Sequence, residues 1–314
     1  MRNAYVSALY NLAKHDKRIF ALVADNGAIV YDKYRQDFPE RFFNFGISEA
    51  NMISVTAGLA ACGKIPFAYT ISCFITMRAF EQVRNDVCLQ NMNVKLAGTG
   101  AGFVYSNLGP THHGTEDLAL MLALPNMTVF SPADALESEK VTLKAAEING
   151  PVYIRLATGK TPEVYEKDYD FQVGRGVILR EGSDVSVITT SSITHEVMKA
   201  VDEVRNSGIS VRLINMHTLK PIDKEIILES ASRTGAVLTV EEHTIHGGLG
   251  SSVAGIILEG NNGSVRFKRL GLNSVFASGY GSYQDIKEEN GFSKGDITRE
   301  IINLYEGKKG KSHG

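Results

Sequence analysis

The order of apolar and polar positions along the chain predicts a repeated alternation of strands and helices. The predicted strands of the first half are short apolar runs, typical of buried parallel strands. They cover residues 19–25, 65–70, 94–100, 127–130 and 151–157. Helical periodicity separates these runs at 4–14, 74–90, 116–123 and 134–149. A chain with this alternation folds as a doubly wound α/β domain.

The second half repeats the alternation after a polar interruption. Residues 158–175 have one proline and no periodicity, which indicates a linker. The later strands are predicted at 184–190, 210–216 and 236–242, with helices at 194–207, 223–234 and 249–259. We therefore predict two doubly wound α/β domains. They cover residues 1–160 and 177–308, joined by a linker at 161–176 and followed by a frayed tail at 309–314.

One stretch of the first half, residues 42–63, reads as a buried strand, a tight turn and a helix. An aromatic run ends at Gly46, and a small-residue amphipathic segment covers 50–61. Glu49 thus lies where the carboxyl end of a strand meets the start of a helix, which is where open α/β sheets bind ligands. A first-turn carboxylate favoured by the helix dipole is the plainer interpretation of Glu49.

Composition narrows the class of protein. The chain has 314 residues, 43% hydrophobic and 22% charged, which is enough for sizeable cores. A formal net charge of -2 without a basic stripe argues against nucleic acid as a partner. The sequence has no run of 18 apolar residues and no signal-peptide profile, so we expect no membrane partner and a cytoplasmic location. Cys62, Cys73 and Cys88 lack metal-ligand spacing and are assigned no chemistry.

A series of loop motifs resembles the C-terminal half of transketolases. In order, they are FNFGISEANM, FITMRAFEQVRNDV, GPTHHGTEDLALMLALPNMTVFSPAD, GPVYIRLATGK, LKPID and EEHTIHGGLG. They extend over nearly the whole chain. The resemblance implies the pyrimidine-binding domain of thiamine diphosphate enzymes, followed by a transketolase C-terminal-type domain.

The resemblance assigns three residues to the cofactor. Glu49, in ISEANM, matches the glutamate that hydrogen-bonds the aminopyrimidine ring of thiamine diphosphate, a cofactor that acts as an electron sink. Phe74 matches an aromatic residue that stacks on that ring. Asp25 resembles an acidic residue near the cofactor. A core phenylalanine and an ordinary strand-end acid are the alternative interpretations of Phe74 and Asp25.

Three further residues are assigned to the sugar substrate. His112, in GPTHHG, matches the substrate-facing histidine of the family, and His113 stands where a glutamine is usual. Arg2 resembles an arginine that contacts the substrate phosphate. A solvated turn histidine and a surface arginine are the alternatives.

One family motif is missing from the chain. It contains no GDG followed by an asparagine, and its single Gly-Asp pair is at 295–296. In the family that motif binds the diphosphate and a divalent cation, Mg²⁺ or Ca²⁺. The resemblance therefore implies that an N-terminal transketolase subunit carries the motif and the metal ligands, in a heterotetramer with two copies of each chain.

Three departures concern the substrate. Gly100 and Leu108 replace a histidine and an aspartate of typical transketolases, and many members carry, near the position of Thr158, an arginine that binds the substrate phosphate. Arg155 and Lys160 are close in sequence. Loss of a charged contact weakens recognition of a phosphorylated sugar. We expect ketol transfer between sugars or sugar phosphates, with altered substrate recognition.

Two other functions compete with this one. A subunit similar to deoxyxylulose-phosphate synthase, or to the beta chain of 2-oxoacid dehydrogenases, would decarboxylate a 2-oxoacid. A regulatory subunit without catalysis would only bind a partner. In the second half, we expect a structural role for His243 and His246, because this domain chiefly supports dimer contacts in the family.

Overall fold

The computed structural model contains two mainly parallel sheets, each flanked by helices. It describes residues 1–27, 29–158, 161–260 and 264–309. The prediction of two doubly wound α/β units is confirmed. Lys160 and the tail at 310–314 lie outside the described residues.

The first unit follows the predicted alternation. Its strands are β1 Ile19–Val23, β2 Phe42–Asn44, β3 Ile65–Ile71, β4 Lys95–Thr99, β5 Thr128–Phe130 and β6 Val152–Leu156. Its helices are α1 Arg2–His15, α2 Asp32–Asp37, α3 Glu49–Ala61, α4 Phe80–Gln82, α5 Asp117–Ala123 and α6 Ala135–Glu147. The parallel order is β2-β1-β3-β4-β6-β5. The carboxyl ends of these strands therefore share one edge, where the candidate site lies.

The second unit has a smaller sheet. Its strands in chain order are β7 Val177–Arg180, β8 Val185–Thr189, β9 Val211–Asn215, β10 Thr218–Lys220, β11 Ala236–Thr244 and β12 Arg266–Leu272. Its helices are α7 Thr194–Asn206, α8 Lys224–Thr234, α9 Leu249–Glu259, α10 Tyr283–Glu289 and α11 Lys294–Lys309. The sheet order is β12-β11-β8-β9-β7, and β7 is antiparallel to β9.

Strand β10 joins the other sheet. It pairs antiparallel with β5, with Thr218 opposite Phe130, and makes the first sheet seven-stranded. A strand from the second half of the sequence therefore closes one edge of the first sheet.

Several elements differ from the sequence-based expectations. The strand at 42–45 was expected to be buried, but β2 ends the sheet with β1 as its partner, and Phe43 is 40% exposed. The helix expected at 74–90 is largely π-helical, at Phe74–Arg78 and Val83–Cys88. Sequence analysis did not identify β7, β10, β12, α2, α10 or α11. Residues 161–176 have neither helix nor strand in their described positions.

A buried carboxylate ties the two units together. Glu137 on α6 accepts hydrogen bonds from the Ala133 amide at 2.7 Å, the Tyr169 hydroxyl at 2.6 Å and the Asn215 side chain at 2.9 Å. Burial raises the pKa of Glu137, and these hydrogen bonds oppose the rise. Asn215 belongs to β9, so this carboxylate connects the second sheet to a helix of the first unit.

No helix in the described part of the chain has the length and apolar character needed to cross a membrane.

Candidate cofactor and substrate site

Glu49 is a buried carboxylate at the first position of α3. Its residue is 5% exposed, although carboxylates are rarely buried without a partner. A negative charge is favourable at this end of a helix. The helix begins where β2 and the turn at Gly46 end, so the strand-turn-helix pattern places Glu49 at the ligand-binding edge of the sheet.

The partner of Glu49 is an arginine that sequence analysis did not single out. Arg78 Nη1 donates a hydrogen bond to Glu49 Oε1 at 3.1 Å. The Arg78 guanidinium carbon also lies 3.7 Å from the centre of the Phe74 ring, a cation–π contact. Phe74 and Arg78 open and close one π-helical segment. The signal was present in FITMRAF, but only tertiary structure shows that Arg78 reaches Glu49.

His112 completes this group of side chains. Its ring centre is 5.2 Å from that of Phe74 in an edge-on arrangement, and 6.4 Å from that of Tyr105. His112 Nδ1 is 2.9 Å from the Thr111 hydroxyl. We call Glu49, Phe74, Arg78 and His112 the Glu49 cluster. It brings together three of the residues expected from the sequence.

The loop that carries His112 is held from behind by a buried ion pair. Arg155 on β6 donates from Nε to Asp117 Oδ2 at 2.9 Å, and from Nη2 to the Gly114 carbonyl at 2.7 Å. The Tyr153 hydroxyl donates to the same Asp117 oxygen at 2.7 Å. Arg155 and Asp117 are fully buried. Arg155 therefore fixes the histidine loop from the chain interior, and its side chain has no solvent-exposed surface.

His113 is buried and packs against a different aromatic residue from His112. It is 2% exposed, and its ring lies edge-on to Phe103, with ring centres 5.9 Å apart. Burial lowers the pKa of His113, and the neighbouring His112 lowers it further. A substrate role for His113 stays a prediction that this buried position does not favour.

The contacts of Asp25 and Arg2 in the structure are with residues outside the Glu49 cluster. Asp25 follows β1 at the same edge of the sheet, is exposed, and has a left-handed backbone with φ of 48°. Its amide donates to Asn44 Oδ1 at 3.0 Å. Arg2 opens α1, is partly buried, and lies close to Tyr69 of β3.

The Glu49 cluster contains two features that the resemblance connects with an aminopyrimidine ring. Such a ring needs a carboxylate for its nitrogen and a flat apolar wall for its face. Glu49 and Phe74 supply these features, and the space between them already holds a planar group with N–H donors, the Arg78 guanidinium. For the metal, no group of three or more His, Cys, Asp or Glu side chains among the described residues could hold an ion.

Comparison with protein families supports this assignment over nearly the whole chain. The transketolase pyrimidine-binding domain matches residues 1–163, and the transketolase C-terminal domain matches residues 174–297. The putative transketolase C-terminal section of Methanocaldococcus jannaschii is 38% identical, over 96% of this chain and 95% of its own length. The 6-deoxy-6-sulfo-D-fructose transketolase subunit SqwH of Clostridium sp. MSTE9 is 36% identical, over 98% and 95%.

Solved structures and longer relatives add to this picture. A split-gene transketolase, described as an inactive beta4 tetramer, has a TM-score of 0.88 and 42% identity, covering 97% of this chain and 98% of its own. The 1-deoxy-D-xylulose-5-phosphate synthase 1 of Geobacter metallireducens is 34% identical over 96% of this chain, which spans 48% of that enzyme. The resemblance inferred from the loop motifs is confirmed: this chain belongs to the transketolase family, and is similar to its split C-terminal sections.

Proposed function

We propose that this chain is the C-terminal subunit of a split transketolase, which transfers a two-carbon ketol unit from a ketose to an aldose. The observation that carries the proposal is the Glu49 cluster, in which a buried carboxylate, an aromatic face and a histidine adjoin at the ligand-binding edge of the sheet. Relatives of nearly equal length named as transketolase sections or subunits support it.

The domains of this family imply dependence on thiamine diphosphate. When bound, that cofactor supplies an electron sink for cleavage of a carbon–carbon bond. In our proposal Glu49 hydrogen-bonds the pyrimidine ring and shares a proton with it, and the Phe74 ring stacks on its face. Asp25, at the neighbouring strand end, adds negative charge beside the cofactor.

His112 is the residue of this chain that we assign to the sugar. Its Nδ1 lies at hydrogen-bond distance from Thr111, which orients the ring. Nε2 is then the nitrogen available to a substrate oxygen, where it exchanges a hydrogen bond or a proton. Arg2 is the cation that we assign to an acidic group at the far end of the substrate.

The split-subunit relatives imply that a partner N-terminal subunit exists. We propose that this partner carries the GDG motif with its asparagine, and with it the ligands for Mg²⁺ or Ca²⁺ and the diphosphate. Two copies of each subunit would form a heterotetramer in the cytoplasm. The name of the split-gene relative, an inactive tetramer of beta chains, supports the expectation that this chain is inactive alone.

Substrate recognition is where we expect a difference from typical transketolases. Many transketolases carry a phosphate-binding arginine near the position of Thr158, whereas Arg155 of this chain is paired with Asp117. The Clostridium relative is named for a sulfonated sugar, so an acid other than phosphate is accepted within this family. We therefore propose that the substrate is a ketose or aldose whose terminal group is bound through other contacts than those that typical transketolases make with a sugar phosphate.

The test is an assay of the chain assembled with its N-terminal partner subunit. Transfer of a ketol unit between ketose and aldose pairs is expected, with thiamine diphosphate and Mg²⁺ present. Glu49→Gln should abolish turnover, while Glu40→Gln, at an exposed carboxylate, should not. Carbon dioxide release from pyruvate would favour the synthase-like alternative. Unchanged turnover in Glu49→Gln would contradict catalysis through this residue.

A further inference from the structure

Arg78 occupies the place that the proposed function gives to the cofactor ring. It hydrogen-bonds Glu49 at 3.1 Å and covers the Phe74 ring at 3.7 Å. These are the two contacts assigned above to the aminopyrimidine. A planar group with N–H donors thus already fills the space between carboxylate and aromatic wall.

The two occupants exclude each other. A guanidinium carbon 3.7 Å from a ring centre is in van der Waals contact with that face. A stacked pyrimidine ring requires the same face at a similar separation. As long as Arg78 covers Phe74, no second planar group can stack on that side of the ring.

The position of Arg78 between Glu49 and Phe74 is also stabilising when the site is empty. Glu49 is buried, and a buried carboxylate without a partner is costly. The ion pair and the contact with Phe74 remove that cost in the cofactor-free chain. The Arg78 side chain is 48% exposed, so it can turn into solvent when another group replaces it.

We propose that Arg78 is a competitor of the cofactor, which holds Glu49 and covers Phe74 in the empty site and leaves both when the pyrimidine ring binds. The inference rests on the proposed roles of Glu49 and Phe74. The competition has a quantitative consequence. The apparent Kd for the cofactor equals the intrinsic Kd divided by the fraction of molecules in which Arg78 leaves the site open.

The test measures cofactor binding, separately from turnover. Thiamine diphosphate with Mg²⁺ is titrated into the assembled complex by calorimetry, and association is followed by stopped-flow fluorescence. Loss of one half-buried ion pair and one cation–π contact predicts that Arg78→Met lowers the Kd about five- to thirty-fold and speeds association. Arg78→Lys keeps the charge but loses the flat stack, so it should give a smaller effect.

Arg84→Met is the matched control. Arg84 lies on the second π-helical segment, Val83–Cys88, is exposed, and donates to its neighbour Asn85. The Arg84→Met substitution removes one positive charge without changing the Glu49 cluster, and should leave the Kd for thiamine diphosphate unchanged. If Arg78→Met binds the cofactor more weakly than the parent, Arg78 is a ligand of the cofactor and the proposal is wrong. An unchanged Kd would also overturn it, because a competitor cannot be removed without effect.

A structure of the cofactor-bound complex gives a second, independent readout. The Arg78 guanidinium should be absent from the Phe74 face there, and its persistence on that face would contradict the inference. Glu49→Gln separates the two proposals: if it changes neither cofactor affinity nor turnover, the proposed function itself fails. If Glu49→Gln impairs both while Arg78→Met does not tighten binding, only the competitor role fails.

Discussion

Arg155 and Asp117 form an ion pair at 2.9 Å in which neither side chain reaches solvent. The pair lies directly behind the loop that carries His112, and a second Arg155 nitrogen holds the Gly114 carbonyl of that loop. Another bond from the same nitrogen reaches the Glu242 carbonyl on β11, at 3.0 Å. The position of the histidine therefore depends on a charge pair that both units bury.

Removing one member of this pair should destabilise the chain strongly. Arg155→Met leaves Asp117 buried without its cation, which costs about 3–5 kcal/mol in free energy of unfolding. Urea unfolding followed by circular dichroism measures it. Arg18→Met is the control, since the Arg18–Asp16 pair is largely exposed and should contribute much less to stability. Equal losses in the two variants would show that burial does not determine the contribution of this pair.

A substitution at His112 should separate substrate handling from cofactor binding. In the assembled complex, we expect His112→Asn to lower kcat/KM about ten- to hundred-fold, because one hydrogen bond to a reacting substrate is lost. The Kd for thiamine diphosphate should stay within about two-fold, since no pyrimidine contact is assigned to this ring. His15→Asn, at an exposed position, is the control. Unchanged kinetics for His112→Asn would contradict the substrate role.

Placing a cation at Thr158 should change the choice of substrate. We expect Thr158→Arg to lower the KM for phosphorylated sugars about ten-fold, because a charge-assisted hydrogen bond contributes more than a neutral one. Unphosphorylated sugars should show no gain. Thr158→Gln adds comparable length without charge and serves as the control. If both variants favour phosphorylated sugars equally, charge is not the cause.

Acid should destabilise the fold partly through His217. This residue is fully buried, its ring centre is 4.2 Å from that of Phe171, and burial lowers its pKa to about 4. Between the ordinary histidine pKa of about 6.5 and pH 4, the unfolded chain binds a proton that the folded chain does not. Stability should therefore fall as pH drops through this window, by an amount on the order of 3 kcal/mol for this group.

His217→Gln should reduce the slope of the free energy of unfolding against pH, by the equivalent of up to one bound proton. Urea unfolding at several pH values between 4 and 7 provides the measurement. His15→Gln, at an exposed histidine, should leave the slope of the parent unchanged. A His217→Gln slope equal to that of the parent would mean that other groups cause the acid sensitivity.

The sequence predicted the position of Glu49 because the signals involved are local. An apolar strand, a glycine turn and a helix start are all within the stretch around Gly46, and together they place the residue at a sheet edge. His112 was identified by a different route, the likeness of GPTHHG to a family loop. Because the resemblance assigns His112 and Phe74 to one site, it suggests that they lie close together; periodicity does not.

Tertiary contacts explain what sequence analysis missed. Arg78 reaches Glu49 through a π-helical turn, which an apolar periodicity of 3.6 does not reveal. Burial of His113 depends on packing against Phe103, a residue with no distinguishing pattern. Short strands such as β10 carry too few residues for an alternation to be recognised. The proposed domain limits at residues 160 and 177 stay a prediction.

The crossing of β10 into the first sheet bears on how this protein can be divided. A truncated chain that stops in the linker would lack Thr218–Lys220 and leave the backbone groups of β5 unpaired along one side. Open strand edges promote pairing between molecules and aggregation. A boundary between the two halves can thus be drawn in the sequence, but the first half by itself lacks one strand of its sheet. A fragment intended for solution work would need a redesigned β5 edge before it could replace the whole chain.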